Sequence, residues 1–282
     1  MNKIKIFSDS TCDLSEKELK EMNIGIIPLS IVFDDKVYKE GVDITPKELF
    51  KKVKHLKMLP KTSAPSPQEF IDKFKVYVDD GYTIIFIGIS SLMSCTVANA
   101  RIAADELGTD KVKVMDSLNF CVTLGGLVKK CYDFASSEMS VADVISETLK
   151  IRDNYKLFFT VNSLDYLHMG GRCSATSMIF GNTLKIKPVI SMSTSGMDVF
   201  KKALGKKKAI LLMIDQLNKD KDRIRYGEVH IGCTIGSENE LHWVKKQITK
   251  LTGISKFSEY EIGCVISSHC GEGTVGFGYF VN

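Results

Sequence analysis

The strongest constraint on the fold is the regular alternation of short apolar runs with stretches of helical character. Apolar runs of strand length lie at residues 3–7 and 82–89, and segments with helical spacing and helix-capping residues follow them. Such alternation favours an α/β architecture whose strands are mainly parallel. The 282 residues are enough for one large domain or two medium ones.

Helix starts are marked by capping boxes, in which a hydroxyl residue stands three positions before a glutamate. The sequence contains three such pairs: Ser15 with Glu18, Thr45 with Glu48, and Ser66 with Glu69. Helices are predicted to begin there and to span residues 94–107, 119–134, 140–154, 174–184, 206–217 and 239–251. Strands or buried extended chain are predicted at residues 3–7, 24–33, 82–89, 113–115, 157–161, 188–192, 228–234, 259–266 and 276–280, with a hairpin turn at Asp34 and Asp35.

The order of these elements predicts two domains. Residues 1–155 are expected to form an α/β domain with a parallel sheet between helical layers. Residues 156–282 are expected to form a second α/β domain with a mixed sheet. A cleft between two such halves is a common position for a ligand.

Composition and terminal sequence argue against several protein classes. Hydrophobic residues make up 44% and charged residues 26%, as in ordinary globular proteins, and the net charge of +4 gives no case for nucleic-acid binding. The chain has neither a signal-peptide pattern nor an apolar run near the roughly 20 residues that span a bilayer. The eight cysteines show no metal-binding spacing. These features predict a cytoplasmic protein with free thiols and no metal.

Four loops rich in small and hydroxyl residues follow predicted strands or precede predicted helices. They are residues 8–13, 61–67, 90–94 and 267–273. Loops at the carboxyl edge of a parallel sheet are where α/β proteins bind ligands, and helix N-termini there offer N–H groups to an anion. Taken singly, each loop also fits an ordinary helix cap or turn, and His269 also fits a structural histidine.

Two further segments carry concentrated features. In residues 164–174 a double glycine precedes Arg172, which fits an anion cradle and equally fits a tight turn with a surface arginine. A lysine cluster fits either a solvated helix face or a docking patch. It comprises Lys201, Lys202, Lys206, Lys207 and Lys208.

The sequence does not support the common enzyme motifs, because each is either absent or lacks the secondary structure that it requires. Residues 271–276 match G-x-G-x-x-G literally, but a strand follows them, and only six residues remain where a nucleotide site needs a helix and a distant acidic residue. The sequence has no Walker A loop, no H-E-x-x-H and no G-x-S-x-G. A small-molecule esterase or phosphotransferase that uses Ser94 and His269 stays open as the alternative function.

Taken in order, these segments resemble the DegV family. The matching segments are residues 7–14, 61–67, 89–96, 116–117, 164–174, 184–190 and 268–273. The resemblance implies two α/β domains, of which the N-terminal one is similar to that of dihydroxyacetone kinase, with a long apolar tunnel between them. The tunnel of this family holds one long-chain, palmitate-like fatty acid.

The resemblance also implies a role without catalysis in this chain. Members act as the binding subunit of a bacterial fatty acid kinase. They present the fatty acid carboxylate to a separate, ATP-dependent kinase of the dihydroxyacetone-kinase type and carry the acyl phosphate away. No cofactor and no catalytic residue is then expected, and contact with a membrane surface is at most transient.

Family positions around the carboxylate correspond to Thr62, Ser94 and His269. Supporting head-group positions are Ser63, Ser91, Cys95, Gly271 and Gly273 in or next to these loops, and Arg172 in the segment at residues 164–174. The chemistry is consistent, because a buried carboxylate is costly unless hydroxyl, imidazole or backbone donors surround it. The protonation state of His269 stays open, as do the preferred chain length and the oligomeric state.

The chain departs from the family pattern at three positions. Cys95 stands where glycine is common, Glu272 where proline or a small residue is common, and Leu204 where many members carry arginine. Leu204 and Glu272 put the details of kinase docking in doubt, whereas the tunnel is unaffected.

Overall fold

The structure is a computed structural model that describes residues 3–34, 36–107, 110–172 and 186–282. The strands are β1 Ile4–Asp9, β2 Gly25–Ile27, β3 Ser30–Phe33, β4 Lys36–Lys39, β5 Lys61–Ser63, β6 Thr83–Gly88, β7 Val112–Asp116, β8 Tyr155–Thr160, β9 Ile186–Ser193, β10 Gly196–Leu204, β11 Glu228–Cys233, β12 Lys256–Glu261 and β13 Val275–Phe280. The helices are α1 Glu16–Glu21, α2 Pro46–Leu56, α3 Pro67–Asp79, α4 Thr96–Glu106, α5 Cys121–Ala135, α6 Val141–Arg152, α7 Asp165–Gly170, α8 Lys206–Asp220, α9 Glu238–Thr252 and α10 Cys264–Cys270.

The first sheet is parallel throughout, in the order β2-β1-β6-β7. Helices α3 and α4 pack on one face, and α5 packs on the other with α6 behind it. Four consecutive residues of β6, residues 84–87, are fully buried because both faces of the strand are covered. The predicted three-layer parallel arrangement is confirmed.

The second sheet is mixed and has the order β10-β9-β8-β13-β11-β12, in which only β11 and β12 pair in parallel. Helices α8 and α9 cover one face through Met213, Ile214 and Val244. A small antiparallel sheet, β4-β3-β5, packs against α2 and α10. The predicted mixed sheet is therefore also confirmed.

Helix α5 lies between the two large sheets and is buried along its first half. Two glycines make this close packing possible. A Cβ on Gly125 would lie 2.4 Å from the backbone oxygen of Cys12, and a Cβ on Gly126 would lie 2.8 Å from the ring of His230. Because α5 and the largest hydrophobic cluster are shared by both parts of the chain, the boundary near residue 155 stays a prediction.

The strand predicted at residues 259–266 is wrong beyond Glu261, since helix α10 begins at Cys264. The N-terminus of this helix is held by side chains that are distant in sequence. The carboxylate of Asp13 accepts the Gly263 N–H at 3.0 Å, and that of Glu40 accepts the Val265 N–H at 2.6 Å. A short apolar run can form either a strand or a helix, and here the residues that stabilise the helix N-terminus are distant in sequence.

Other predicted elements are recovered with shifted ends. The three capping boxes at Ser15, Thr45 and Ser66 are present. Helix α4 begins at Thr96 rather than at Ser94, with Cys95 as its N-cap residue. Strands β4, β5 and β10 and helix α7 were not predicted as separate elements, and the helix predicted at residues 174–184 lies outside the described residues.

Candidate functional site

A cavity of about 250 Å³ lies where β5, α7, α10 and the starts of α4 and α5 meet. Its wall consists of Leu29, Thr62, Ser63, Ala64, Ile89, Met93, Ser94, Cys95, Phe120, Leu167, Arg172, Met197, Val265, Ile266, His269 and Cys270. These residues come from separate segments of the chain between Leu29 and Cys270. Folding therefore brings three of the four predicted loops to one space, while the loop at residues 8–13 lies outside the wall.

The polar centre of the cavity is a contact between Thr62 and His269, which are 207 residues apart. The Thr62 Oγ1 atom lies 2.8 Å from the His269 Nε2 atom. Thr62 is held in β5 by pairing with Ile31 of β3, and His269 stands in the last turn of α10. Packing of α10 against β3 and β5 sets the distance between the two side chains.

The His269 ring is largely removed from water. Burial, together with the positive charge of Arg172, lowers the pKa of His269 to about 4, so the neutral ring is favoured at neutral pH. Its Nδ1 atom is buried without a hydrogen-bond partner in the described structure. A Cβ on Gly170 would lie 2.3 Å from this atom, so glycine is required there. An anion beside the ring would raise this pKa again.

Ser94 approaches the cavity from the start of α4. Its Oγ lies 2.8 Å from the Thr96 Oγ1 and accepts the Thr96 N–H at 3.3 Å. The Asn99 side chain donates to the Pro65 oxygen at 2.8 Å, which ties α4 to the loop that carries Thr62. This bond explains how Thr62 and Ser94 come to share one wall.

The Arg172 guanidinium lies at the exposed rim of the cavity. It donates to the Gly170 oxygen at 2.7 Å and to the Met93 oxygen at 3.5 Å. It thereby links α7 with the loop at residues 90–94. A positive charge fixed at this rim, beside the hydroxyls of Thr62 and Ser94, suits a ligand with one anionic group.

A buried carboxylate behind the cavity supports two of the loops. Asp9 accepts the Thr11 N–H at 3.0 Å and the Ile89 N–H at 2.6 Å, which joins residues 8–13 to the end of β6. Burial raises the pKa of Asp9 to about 6, although these hydrogen bonds oppose part of the shift. Asp9 thus forms a turn, which agrees with the interpretation of the loop at residues 8–13 as an ordinary cap or turn.

Most of the cavity wall is apolar and was not identified from the sequence. The missed residues are Leu29, Ala64, Ile89, Met93, Phe120, Leu167, Met197, Val265, Ile266 and Cys270. Ile89, Met93 and Ile266 directly flank or belong to the predicted loops, so their position was a usable signal. Leu167 belongs to the segment at residues 164–174 that the sequence singled out, whereas Met197 carried no signal, because only tertiary packing brings it to the cavity.

A sequence model of the DegV family, described as an uncharacterised protein family, matches residues 3–282. The chain belongs to the DegV family. A DegV domain-containing protein of Clostridium perfringens, CPE1310, is 34% identical over 272 residues, which is 96% of each chain. Another of Clostridium acetobutylicum, CA_C0701, is 34% identical over 271 residues, again 96% of each chain.

Solved structures of similar proteins have the same fold. The fatty acid binding DegV family protein SAG1342 of Streptococcus agalactiae matches with a TM-score of 0.91 and 25% identity, and the match covers 100% of both chains. A stearic acid-binding protein of Eubacterium ventriosum matches with a TM-score of 0.88 and 28% identity, covering 100% of this chain and 98% of the other.

The remaining predicted DegV site residues divide into two groups. Ser63 and Cys95 line the cavity, whereas Ser91, Gly271 and Gly273 are not part of its wall. The Ser91 N–H donates to the Asp116 carboxylate, and both glycines have positive φ. Their direct part in ligand binding stays a prediction, while their observed role is to shape the loops.

Two of the residues that depart from the DegV pattern, Glu272 and Leu204, lie outside the cavity wall. Glu272 pairs with Lys54 of α2 at 2.7 Å, outside the cavity wall. Leu204 ends the edge strand β10 and is 58% exposed.

In the described ranges no cluster of metal-binding side chains is present, and none of the helices there is both long and apolar enough to cross a bilayer.

Proposed function

We propose that this chain binds one long-chain fatty acid in the cavity, with the carboxylate beside Thr62, Ser94 and His269. The observation that carries this proposal is the division of the wall. The wall contains hydroxyl, imidazole and guanidinium groups, two of which are in contact at Thr62 and His269, and apolar side chains form most of the rest. Structural relatives described as fatty acid-binding proteins support the same ligand class.

The energetics of such a ligand match this division. Each buried methylene contributes about 0.8 kcal/mol, so an apolar wall favours an alkyl chain. A carboxylate placed in such a wall is costly unless donors compensate it. The Thr62 and Ser94 hydroxyls and the Arg172 guanidinium supply donors, and the charge of Arg172 opposes that of the ligand.

Presentation of the carboxylate to a separate kinase completes the proposed role. The attacking group is the ligand's own carboxylate oxygen. It forms a bond to the γ-phosphorus of ATP, and ADP leaves. The partner, an ATP-dependent kinase of the dihydroxyacetone-kinase type, would bring ATP and Mg²⁺. This chain would hold and then carry the acyl phosphate in a bacterial cytoplasm, and would act as a carrier with no catalytic residue of its own.

The hydrogen bonds give the alternative esterase or phosphotransferase no support. A Ser–His mechanism needs the serine hydroxyl bonded to the histidine ring. In the described structure Ser94 bonds to Thr96, whereas His269 bonds to Thr62.

Mass spectrometry of lipid extracted from the purified protein tests the proposal. We expect about one long-chain fatty acid per chain. Ser94→Ala should weaken retention by about 1–3 kcal/mol, because a buried partner of the carboxylate is lost. Ser146→Ala, at an exposed position in the middle of α6, is the matched control. Protein that neither carries nor takes up a fatty acid would refute the proposal, and ester turnover lost in Ser94→Ala would favour the enzyme.

A further inference from the structure

A second, smaller space of about 30 Å³ lies behind the cavity and is separated from it by shared side chains. Three residues line both spaces: Phe120, Ile266 and Cys270. All three are at least 90% buried. We call the smaller space the inner pocket, and it is the direction in which the cavity would extend if one of these side chains moved.

The polar side chains of the inner pocket have their hydrogen bonds elsewhere. The Thr274 hydroxyl donates to the Cys270 oxygen at 2.9 Å. The Cys121 thiol is hydrogen-bonded to the carboxyl group of Asp13. Cavities without free polar groups stay dry and favour apolar occupants. The inner pocket therefore suits the end of an alkyl chain better than water.

Backbone rather than side chain forms the floor of the inner pocket. Gly232 of β11 and Gly276 of β13 are directly paired across the sheet, and both line the space. A Cβ on Gly232 would lie 2.6 Å from the Ile262 Cδ1 and 2.9 Å from the Val122 Cγ1. A methyl group at this position would therefore crowd side chains that surround the pocket.

Phe120 is the largest of the three shared side chains. It precedes α5 in an extended conformation, so its χ1 rotation is not restricted by a preceding helical turn. Its ring packs against the edge of Phe159, another residue of the inner pocket, with ring centroids 6.1 Å apart. The ring thus borders both the cavity and the inner pocket.

We propose that Phe120 sets the length of acyl chain that this protein accepts, by closing the passage from the cavity into an inner pocket floored by Gly232 and Gly276. The proposal rests on the proposed binding of fatty acids. Chains that end before Phe120 fit without moving the ring. Longer chains must displace the ring to place their terminal methyl group above the glycines.

Affinities of the intact protein for saturated acids of even chain length, from decanoic to stearic, test this proposal. For the natural sequence, affinity should rise by about fourfold per methylene until the tail reaches Phe120 and then level off. In Phe120→Leu the rise should continue for two or more further methylenes. Adding Gly232→Ala to Phe120→Leu should restore the earlier plateau by filling the inner pocket.

Phe86→Leu is the matched control, because Phe86 is fully buried on the α3–α4 side of the four-stranded sheet and does not line the cavity. Thermal melting of each variant shows that it is folded. A plateau at the same chain length in the natural protein and in Phe120→Leu would overturn the role of Phe120 and leave fatty acid binding intact. Absence of binding for every acid in the natural protein would defeat the proposed function itself.

Discussion

Replacing His269 with alanine is expected to weaken fatty acid binding by about 1–3 kcal/mol, which is a five- to 150-fold rise in Kd. The ring lies 2.8 Å from Thr62 in a largely buried position. Its removal leaves the Thr62 hydroxyl, a proposed donor to the ligand carboxylate, with one partner fewer in a space that offers few replacements. Calorimetric titration with palmitate measures the change.

His242→Ala is the control for this variant, because His242 is exposed on α9 and does not line the cavity. Its Kd should equal that of the natural protein. Thr62→Val removes the other half of the same contact. The losses in the double variant should therefore be less than the sum of the single losses. An unchanged Kd in His269→Ala would show that the carboxylate binds elsewhere.

Replacing Glu40 with glutamine is expected to stabilise the fold at alkaline pH by up to about 3 kcal/mol. Glu40 is buried against the start of α10, and this burial raises the pKa of its carboxyl to about 7 from 4.5. The folded state then binds more protons than the unfolded state between these pH values. Stability from protonated Glu40 is fully present below about pH 4.5 and is lost as pH rises through about 7.

Asp13 is a second buried acid at this helix terminus, where its carboxyl group accepts the Gly263 N–H. Burial, followed by the charge of Glu40, raises the pKa of Asp13 as well. Glutamine at position 40 keeps an acceptor oxygen for the Val265 N–H but cannot ionise. It therefore removes one of two like charges that burial disfavours.

Urea unfolding at about pH 5 and about pH 8 measures the effect of Glu40→Gln. The free energy of unfolding of the natural protein should fall between these values by more than that of the variant. Glu106→Gln, at an exposed position in the last turn of α4, should leave the pH dependence as it is. If the free energy of unfolding changed equally with pH in the natural protein and in Glu40→Gln, the raised pKa of buried Glu40 would be contradicted.

The elements predicted correctly from the sequence are those with local signals. The capping boxes at Ser15, Thr45 and Ser66 are formed by neighbouring residues, and the parallel strands are apolar runs bounded by turns. The grouping of Thr62, Ser94 and His269 rested on family resemblance, since no local pattern relates positions that are 207 residues apart.

The parts that were missed depend on tertiary contacts. The sequence of α10 resembles the end of a strand. Its helical start depends on Asp13 and Glu40, whose carboxyl groups accept hydrogen bonds from N–H groups at its N-terminus. Met197 reaches the cavity from β10, an edge strand whose pairing with β9 contains a register shift. Neither contact leaves a pattern in the neighbouring sequence, so both became visible only in the fold.

A crystal structure of the protein with bound palmitate most directly tests whether these separated loops form one carboxylate site. We expect the two carboxylate oxygens within hydrogen-bonding distance of at least two of Thr62, Ser94 and His269, with the alkyl chain running along the apolar wall toward Phe120. Palmitate bound with its carboxylate remote from all three side chains, or bound outside the cavity, would contradict the account.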